Sequence, residues 1–145
     1  MTHRRNVALV IQDAAGRILI GERGDIAGAW QIPQGGMEKD ESPEEAAWRE
    51  LGEETGFGPD AVSLMNSAGP FSYFFPARAR NRGAFTGQEQ IYFLFKVIDG
   101  SATPRPNDEF RSFRWETKET VLALAVDFKR PCYAAAFHAF FGDMR

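Results

Sequence analysis

Apolar positions along the chain fall into short continuous runs, interrupted by one strongly helical segment. Val7–Gln12 is a β-branched apolar run and Ile18-Leu19-Ile20 is a second. Asp13-Ala14-Ala15-Gly16 between them is turn chemistry, so the pair predicts a β-hairpin. Gly24–Gly36 is rich in Gly with one Pro, which predicts a loop. A helix is predicted over Pro43–Thr55. Ser42 caps it, Pro43 suits its first position and Glu45 completes a capping box. Gly56 stops it, and Gly58-Pro59 prevents a restart. Its inner stripe is Ala47 and Leu51, with Trp48 and Thr55 at the edge. Val62–Met65, Phe71–Phe75, Gln90–Ile98 and Phe110–Trp115 predict strands. Ile91, Phe93 and Phe95 alternate with Tyr92, Leu94 and Lys96, so that strand is apolar on both faces and expected to be central. Pro76–Gly87 and Pro104–Asp108 predict loops. Thr117–Ala125 predicts a short helix, and Pro131–Phe141 a longer one ending at Gly142. Strands with one early and one late helix predict a sheet covered on both faces. No repeat, low-complexity tract or Ser/Gly linker divides the chain, so one domain over residues 1–145 is expected.

Composition changes this picture little. A chain of 145 residues with 43% hydrophobic and 26% charged residues is ordinary globular material that can bury a core unaided. Cys132 is the single cysteine, which excludes an internal disulfide. No apolar run approaches the roughly 20 residues that span a bilayer. Val7–Ile11 is too short for a signal-peptide core. A soluble cytoplasmic protein with no membrane partner is expected. The net charge of -3 argues neither for nor against nucleic acid. Its distribution is more informative. Between Gln34 and Asp60 stand Glu38, Asp40, Glu41, Glu44, Glu45, Glu50, Glu53, Glu54 and Asp60, against Lys39 and Arg49. Such a block is either a solvated helix face or a hard-cation site, and it repels anions unless a metal lies between.

On the predicted helix Glu50, Glu53 and Glu54 stand at i, i+3 and i+4, which puts three carboxylates on one face. They repel one another by tenths of a kcal/mol per exposed pair. A hard divalent cation removes that cost. Oxygen ligands suit Mg²⁺ or Mn²⁺ better than zinc. Gly35 and Gly36 let the backbone come close at the helix approach, where a carbonyl can join the coordination.

The spacing Gly-x5-Glu-x7-Arg-Glu-Leu-x-Glu-Glu-x-Gly-Phe from Gly35 to Phe57 is identified as a Nudix box without departure at any defined position. Chance agreement is on the order of 10⁻⁷ per chain of this length. The resemblance implies an α+β fold, an α/β/α sandwich around a mixed β-sheet, and hydrolysis of a nucleoside diphosphate linked to another group. It implies that Glu50, Glu53 and Glu54, with Gly35, hold Mg²⁺ or Mn²⁺, and that Arg49 and Glu41 orient them by a salt bridge.

The flanks resemble the branch of RNA pyrophosphohydrolases and diadenosine polyphosphate hydrolases, over nearly the whole chain. Arg4-Arg5-Asn6-Val7 is similar to its Arg-Pro-Asn-Val opening, with Arg5 in place of the proline. Trp30-Gln31-Ile32-Pro33-Gln34-Gly35-Gly36, Gly87-Gln88-Glu89-Gln90 and Phe128-Lys129-Arg130 each resemble elements of that branch. Glu109-Phe110 ahead of Trp115 resembles its segment in which a glutamate reaches the metal cluster. The resemblance implies a substrate site of Arg4, Arg23, Tyr73, Gln90, Phe128 and Lys129, taking a nucleotide polyphosphate or a triphosphorylated RNA 5′ end. It implies Glu50, Glu53, Glu54 and Glu109 as the catalytic set. Glu109, beyond the Pro104–Asp108 loop, is expected to approach on loop closure and to take a proton or complete the metal shell.

Each flank also has a plainer reading. Trp30 and Phe128 suit a core, and Tyr73 suits strand packing. Lys129 suits solvent, and Arg78, Arg80 and Arg82 suit a solubilising loop. Phe128 before Lys129-Arg130 is equally a stacking platform for a base. Two other functions stay open: hydrolysis of a different nucleoside diphosphate derivative, and a catalytically silent nucleotide-sensing module.

Overall fold

The computed structural model describes residues 3–76 and 87–142. The loop arginines Arg78, Arg80 and Arg82 lie outside the described residues. Strands β1 (His3–Gln12), β2 (Ile18–Arg23), β3 (Trp30–Gln31) and β4 (Gln34–Gly36) precede helix α1 (Pro43–Thr55). Then come β5 (Val62–Phe74), β6 (Gly87–Val97), β7 (Phe110–Glu116), α2 (Lys118–Leu124) and α3 (Arg130–Phe141).

The sheet runs β3-β2-β1-β6-β5, with β4 on β1 and β7 on β2. β1 is apolar on both faces and takes a central place. It pairs parallel with β6 from His3↔Gly87 to Gln12↔Lys96, while the other pairings are antiparallel. The sheet is therefore mixed. Val7, Leu9 and Ile11 face one core, which α1 closes with Ala46, Ala47 and Leu51. Ala8 and Val10 face the other, which α2 and α3 close with Val121, Tyr133 and Phe137. Helices thus cover both faces, giving the expected α/β/α sandwich.

Several boundaries differ from expectation. The Asp13–Gly16 turn forms, with the Asp13 N–H donating to the Arg17 carbonyl at 3.0 Å. Yet β1 and β2 pair only at Gln12↔Ile18 and then diverge. β4 occupies the edge of β1 that a long hairpin would need, and β2 pairs with β7 instead. The Gly24–Gly36 loop contains two short strands, held by edges contributed from β1 and β2 rather than by local sequence. The two strands expected at Val62–Met65 and Phe71–Phe75 are one strand, β5. Register shifts at Leu64/Asn66 and Ala68/Phe71 absorb the irregular middle. The helix signals hold: Ser42 and Glu45 form both bonds of the capping box, and Gly56 ends α1 at φ 83°.

Candidate active site

Helix α1 carries its acids into the site by its own periodicity. Ala46, Ala47 and Leu51 are buried against β1, and Glu50 and Glu54 flank that stripe, so both are drawn inward and are each 7% exposed. Glu53 is turned to the outside. The three carboxylates therefore do not share one open face. Glu50 and Glu54 line a cleft of about 430 Å³, and Glu53 does not.

Arg49 organises the acids. Its Nε and Nη2 donate to the two Glu41 oxygens at 2.7 and 2.9 Å. Its Nη1 donates to Glu50 Oε1 at 2.8 Å and to Glu53 Oε1 at 3.0 Å, and its Nη2 reaches the Gly36 carbonyl at 2.9 Å. This bidentate grip, with the Glu38 N–H, holds the Glu41 carboxyl down at about 2. The β4 backbone approaches closely because residues 35 and 36 lack side chains. A Cβ on Gly35 would overlap the Glu50 carboxylate, and one on Gly36 would overlap the Arg4 guanidinium.

Glu109 lines the same cleft without any movement of the loop. Its carbonyl accepts from the Gly24 N–H at 2.8 Å, which fixes that segment against the end of β2. The expected need for closure is thus corrected. Burial, followed by the charges of Glu109 and Glu50, pushes the Glu54 carboxyl up to about 8. Burial also raises Glu50, with Arg49 opposing. Glu54 Oε2 is buried and meets no donor. Among the described residues, no three acidic, His or Cys side chains converge closely enough to enclose a metal as they stand. Arg49 holds Glu50 and Glu53 to itself. Even so, an all-oxygen set, crowded like charges, an orphaned carboxylate oxygen and a glycine-walled approach fit a hard divalent cation.

The same cleft also has basic and aromatic lining. Arg4, Arg23 and Lys129 line it with Tyr73, Phe75 and Phe128. Lys129 is buried at the start of α3, its Nζ 3.3 Å from Gln31 Oε1. Burial, then the Arg23 charge, pulls its ammonium down to about 8. Phe128 is half-buried and packs on the Tyr73 ring, centroids 5.4 Å apart, so it serves the core and the cleft together. Burial also raises the Tyr73 hydroxyl.

Gln90 does not reach the cleft. It is fully buried, donates to Gln34 Oε1 at 2.8 Å and accepts from the Tyr92 hydroxyl at 2.9 Å. Gln34 lines the cleft in its place. Asn6, Gln31, Gln34 and Gln88 are cleft residues that sequence reasoning left out. For Asn6 and Gln88 a signal was present, as polar residues two apart from Arg4 and Gln90 in otherwise apolar strands. Gln31 and Gln34 lie in strands of two and three residues that carry no period. Trp30 packs on the core with the Arg114 guanidinium 4.2 Å from its ring centroid, away from the cleft.

The NUDIX domain family matches residues 2–136. An RNA pyrophosphohydrolase of Rhodospirillum rubrum is 39% identical over 92% of this chain and 84% of its own length. Nudix hydrolase 26 of Arabidopsis thaliana, a chloroplastic protein, is 34% identical over 95% of this chain and 69% of its own. Two solved structures share the fold. The dihydroneopterin triphosphate pyrophosphohydrolase of E. coli superposes with TM-score 0.73 at 19% identity, over 93% of this chain and 97% of that one. An Ap4A hydrolase of C. elegans does so with TM-score 0.73 at 20% identity, over 94% and 96%. Fold, box and cleft define a hydrolase of phosphoric anhydride bonds. The chain belongs to the Nudix family. Members of the family need a divalent metal.

Proposed function

We propose that this protein removes pyrophosphate from the 5′-triphosphate end of RNA in the cytoplasm, with Mg²⁺ as its ion and Mn²⁺ as a substitute. The observation that supports this best is the mixed lining of one cleft. Glu50, Glu54 and Glu109 line it together with Arg4, Arg23, Lys129 and the Phe128 ring, Arg23 being paired with Asp25 at 2.6 Å. A triphosphate end needs an aromatic face for its base, cations for its outer phosphates and carboxylates behind a metal. Relatives named RNA pyrophosphohydrolase point the same way. Glu50, Glu53, Glu54 and the Gly35 carbonyl are the groups offered to the ion. Once bound, a divalent cation neutralises phosphate charge and acidifies a water. Glu109 is free of the Arg49 network, so it keeps an oxygen available to take the water's proton. A second reading, cleavage of diadenosine polyphosphates in the same cleft, is favoured by the Tyr73 ring beside Phe128.

The test is phosphate and pyrophosphate release, with Mg²⁺, from a triphosphorylated oligoribonucleotide and from diadenosine tetraphosphate. The expected result is a higher kcat/KM on the RNA end and loss of most turnover in Glu53→Gln. Release from the dinucleotide alone would move the protein to the second reading. Full turnover by Glu53→Gln would remove that residue from the ligand set, and no release from either substrate would favour a sensing module.

A further inference from the structure

We infer that Asn107 is a positioning residue that locks the Glu109 segment to the box helix. The inference rests on the reading of Glu54 and Glu109 as reacting-site carboxylates. These two come from parts of the chain more than fifty positions apart, and no hydrogen bond joins their side chains among the described residues. Asn107 supplies the link through their backbones. Its Nδ2 donates to the Glu54 carbonyl at 2.6 Å. Its Oδ1 accepts from the N–H groups of Glu109 at 2.8 Å and Phe110 at 3.0 Å.

Asn107 Nδ2 also donates to the Arg105 carbonyl at 3.2 Å, so one carboxamide holds four backbone groups around the last turn of α1 and the start of β7. The Asn107 N–H also donates to the Phe110 carbonyl at 2.8 Å, and the Arg105 N–H to the Thr55 carbonyl at 2.9 Å. Residues 105–110 are therefore tied to the end of α1 on one side. On the other side the Gly24 N–H holds the Glu109 carbonyl. A Cβ at residue 24 would come 2.7 Å from the Asp108 carbonyl oxygen, so that approach requires glycine. Glu109 has its N–H and its carbonyl both committed, which sets the origin of its side chain relative to Glu54. Of the common side chains, only Asn and Gln offer both a donor and an acceptor on one amide plane, and Asn has the shorter reach.

The test combines turnover, a double-mutant cycle and amide exchange. Asn107→Ala should lower kcat by about 10- to 100-fold, as expected for misplacement of a catalytic group by an ångström or less. KM should stay within a few fold. In a Glu109→Gln background the same substitution should cost little more, because both act through one carboxylate. Amide exchange at Glu109 and Phe110 should accelerate in Asn107→Ala. In Asn107→Ser, which keeps an oxygen over those amides, protection and part of kcat should return. Equal proportional losses in both backgrounds, or unchanged exchange in Asn107→Ala, would overturn the inference. Wild-type turnover in Glu109→Gln would instead show that the site reading beneath it has failed. An impaired Glu109→Gln beside an unimpaired Asn107→Ala would sink the clamp alone.

Discussion

Lys129 is a cation placed where an ammonium is disfavoured. It is buried beside Arg23 and, among the described residues, holds only the neutral Gln31 oxygen, so its charge is held in the free enzyme only up to about pH 8. Under the proposed function, an anionic phosphate end would supply the missing counter-charge. Apparent KM should therefore rise as pH passes upward through about 8, while Lys129→Arg, charged throughout, should show no such inflection. The sign for stability is opposite. Between about 8 and 10.5 the unfolded chain holds the proton more tightly than the folded one, so this residue's contribution to stability increases as pH rises through that window. The plainer sequence reading of Lys129 as a solvated side chain had no means of detecting this. Its burial accompanies the packing of α3 on β5 and α2, and its partner Gln31 lies 98 positions away in the chain.

At the scale of the element, α1 was the most legible part of the molecule, because its start and stop signals are local. Ser42 donates no long-range contact; its hydroxyl oxygen accepts from the Glu45 N–H at 3.1 Å, and Glu45 answers to the Ser42 N–H at 2.8 Å. Ser42→Ala should cost about 1 kcal/mol of stability. Thermal denaturation should show this as a small fall in Tm, with turnover per folded molecule unchanged. β3 and β4 were not legible, since two or three residues carry no period. They exist because β2 and β1 present unpaired backbone edges to them. β5 looked like two strands because Asn66-Ser67-Ala68-Gly69-Pro70 breaks its apolar pattern, and pairing with β6 overrides that break. Gln90 looked like a ligand in the same way. Only the pairing of β6 with β1 and β5 shows that it lies beneath Gln34 rather than in the cleft.

Across the whole molecule, the sheet and its two cores hold Glu50, Glu54 and Glu109 together against their mutual repulsion. Glu54 Oε2 is buried without a donor, which costs stability so long as no cation is bound. In the presence of a chelator at neutral pH, Glu54→Gln should raise stability by about 1–3 kcal/mol. Added Mg²⁺ should then raise the Tm of the wild type more than that of the variant. Differential scanning fluorimetry with and without Mg²⁺ checks both, and equal shifts would detach Glu54 from the ion.

Sequence alone determined the box, its helix, the double-faced apolar strands and hence a sheet covered on both faces. Each of those rests on periodicity or spacing within a few turns of chain. That the sheet is mixed followed only from the resemblance the box carries. It also marked Arg4, Arg23, Tyr73, Phe128 and Lys129, which the fold brings to one cleft. Tertiary structure decided which carboxylates face that cleft, because the buried stripe of α1 draws Glu50 and Glu54 inward and leaves Glu53 to Arg49. It also decided that Glu109 stands in the cleft wall without closure. Burial and hydrogen-bond partners depend on the packing of segments distant in the chain, and local pattern carries no record of them.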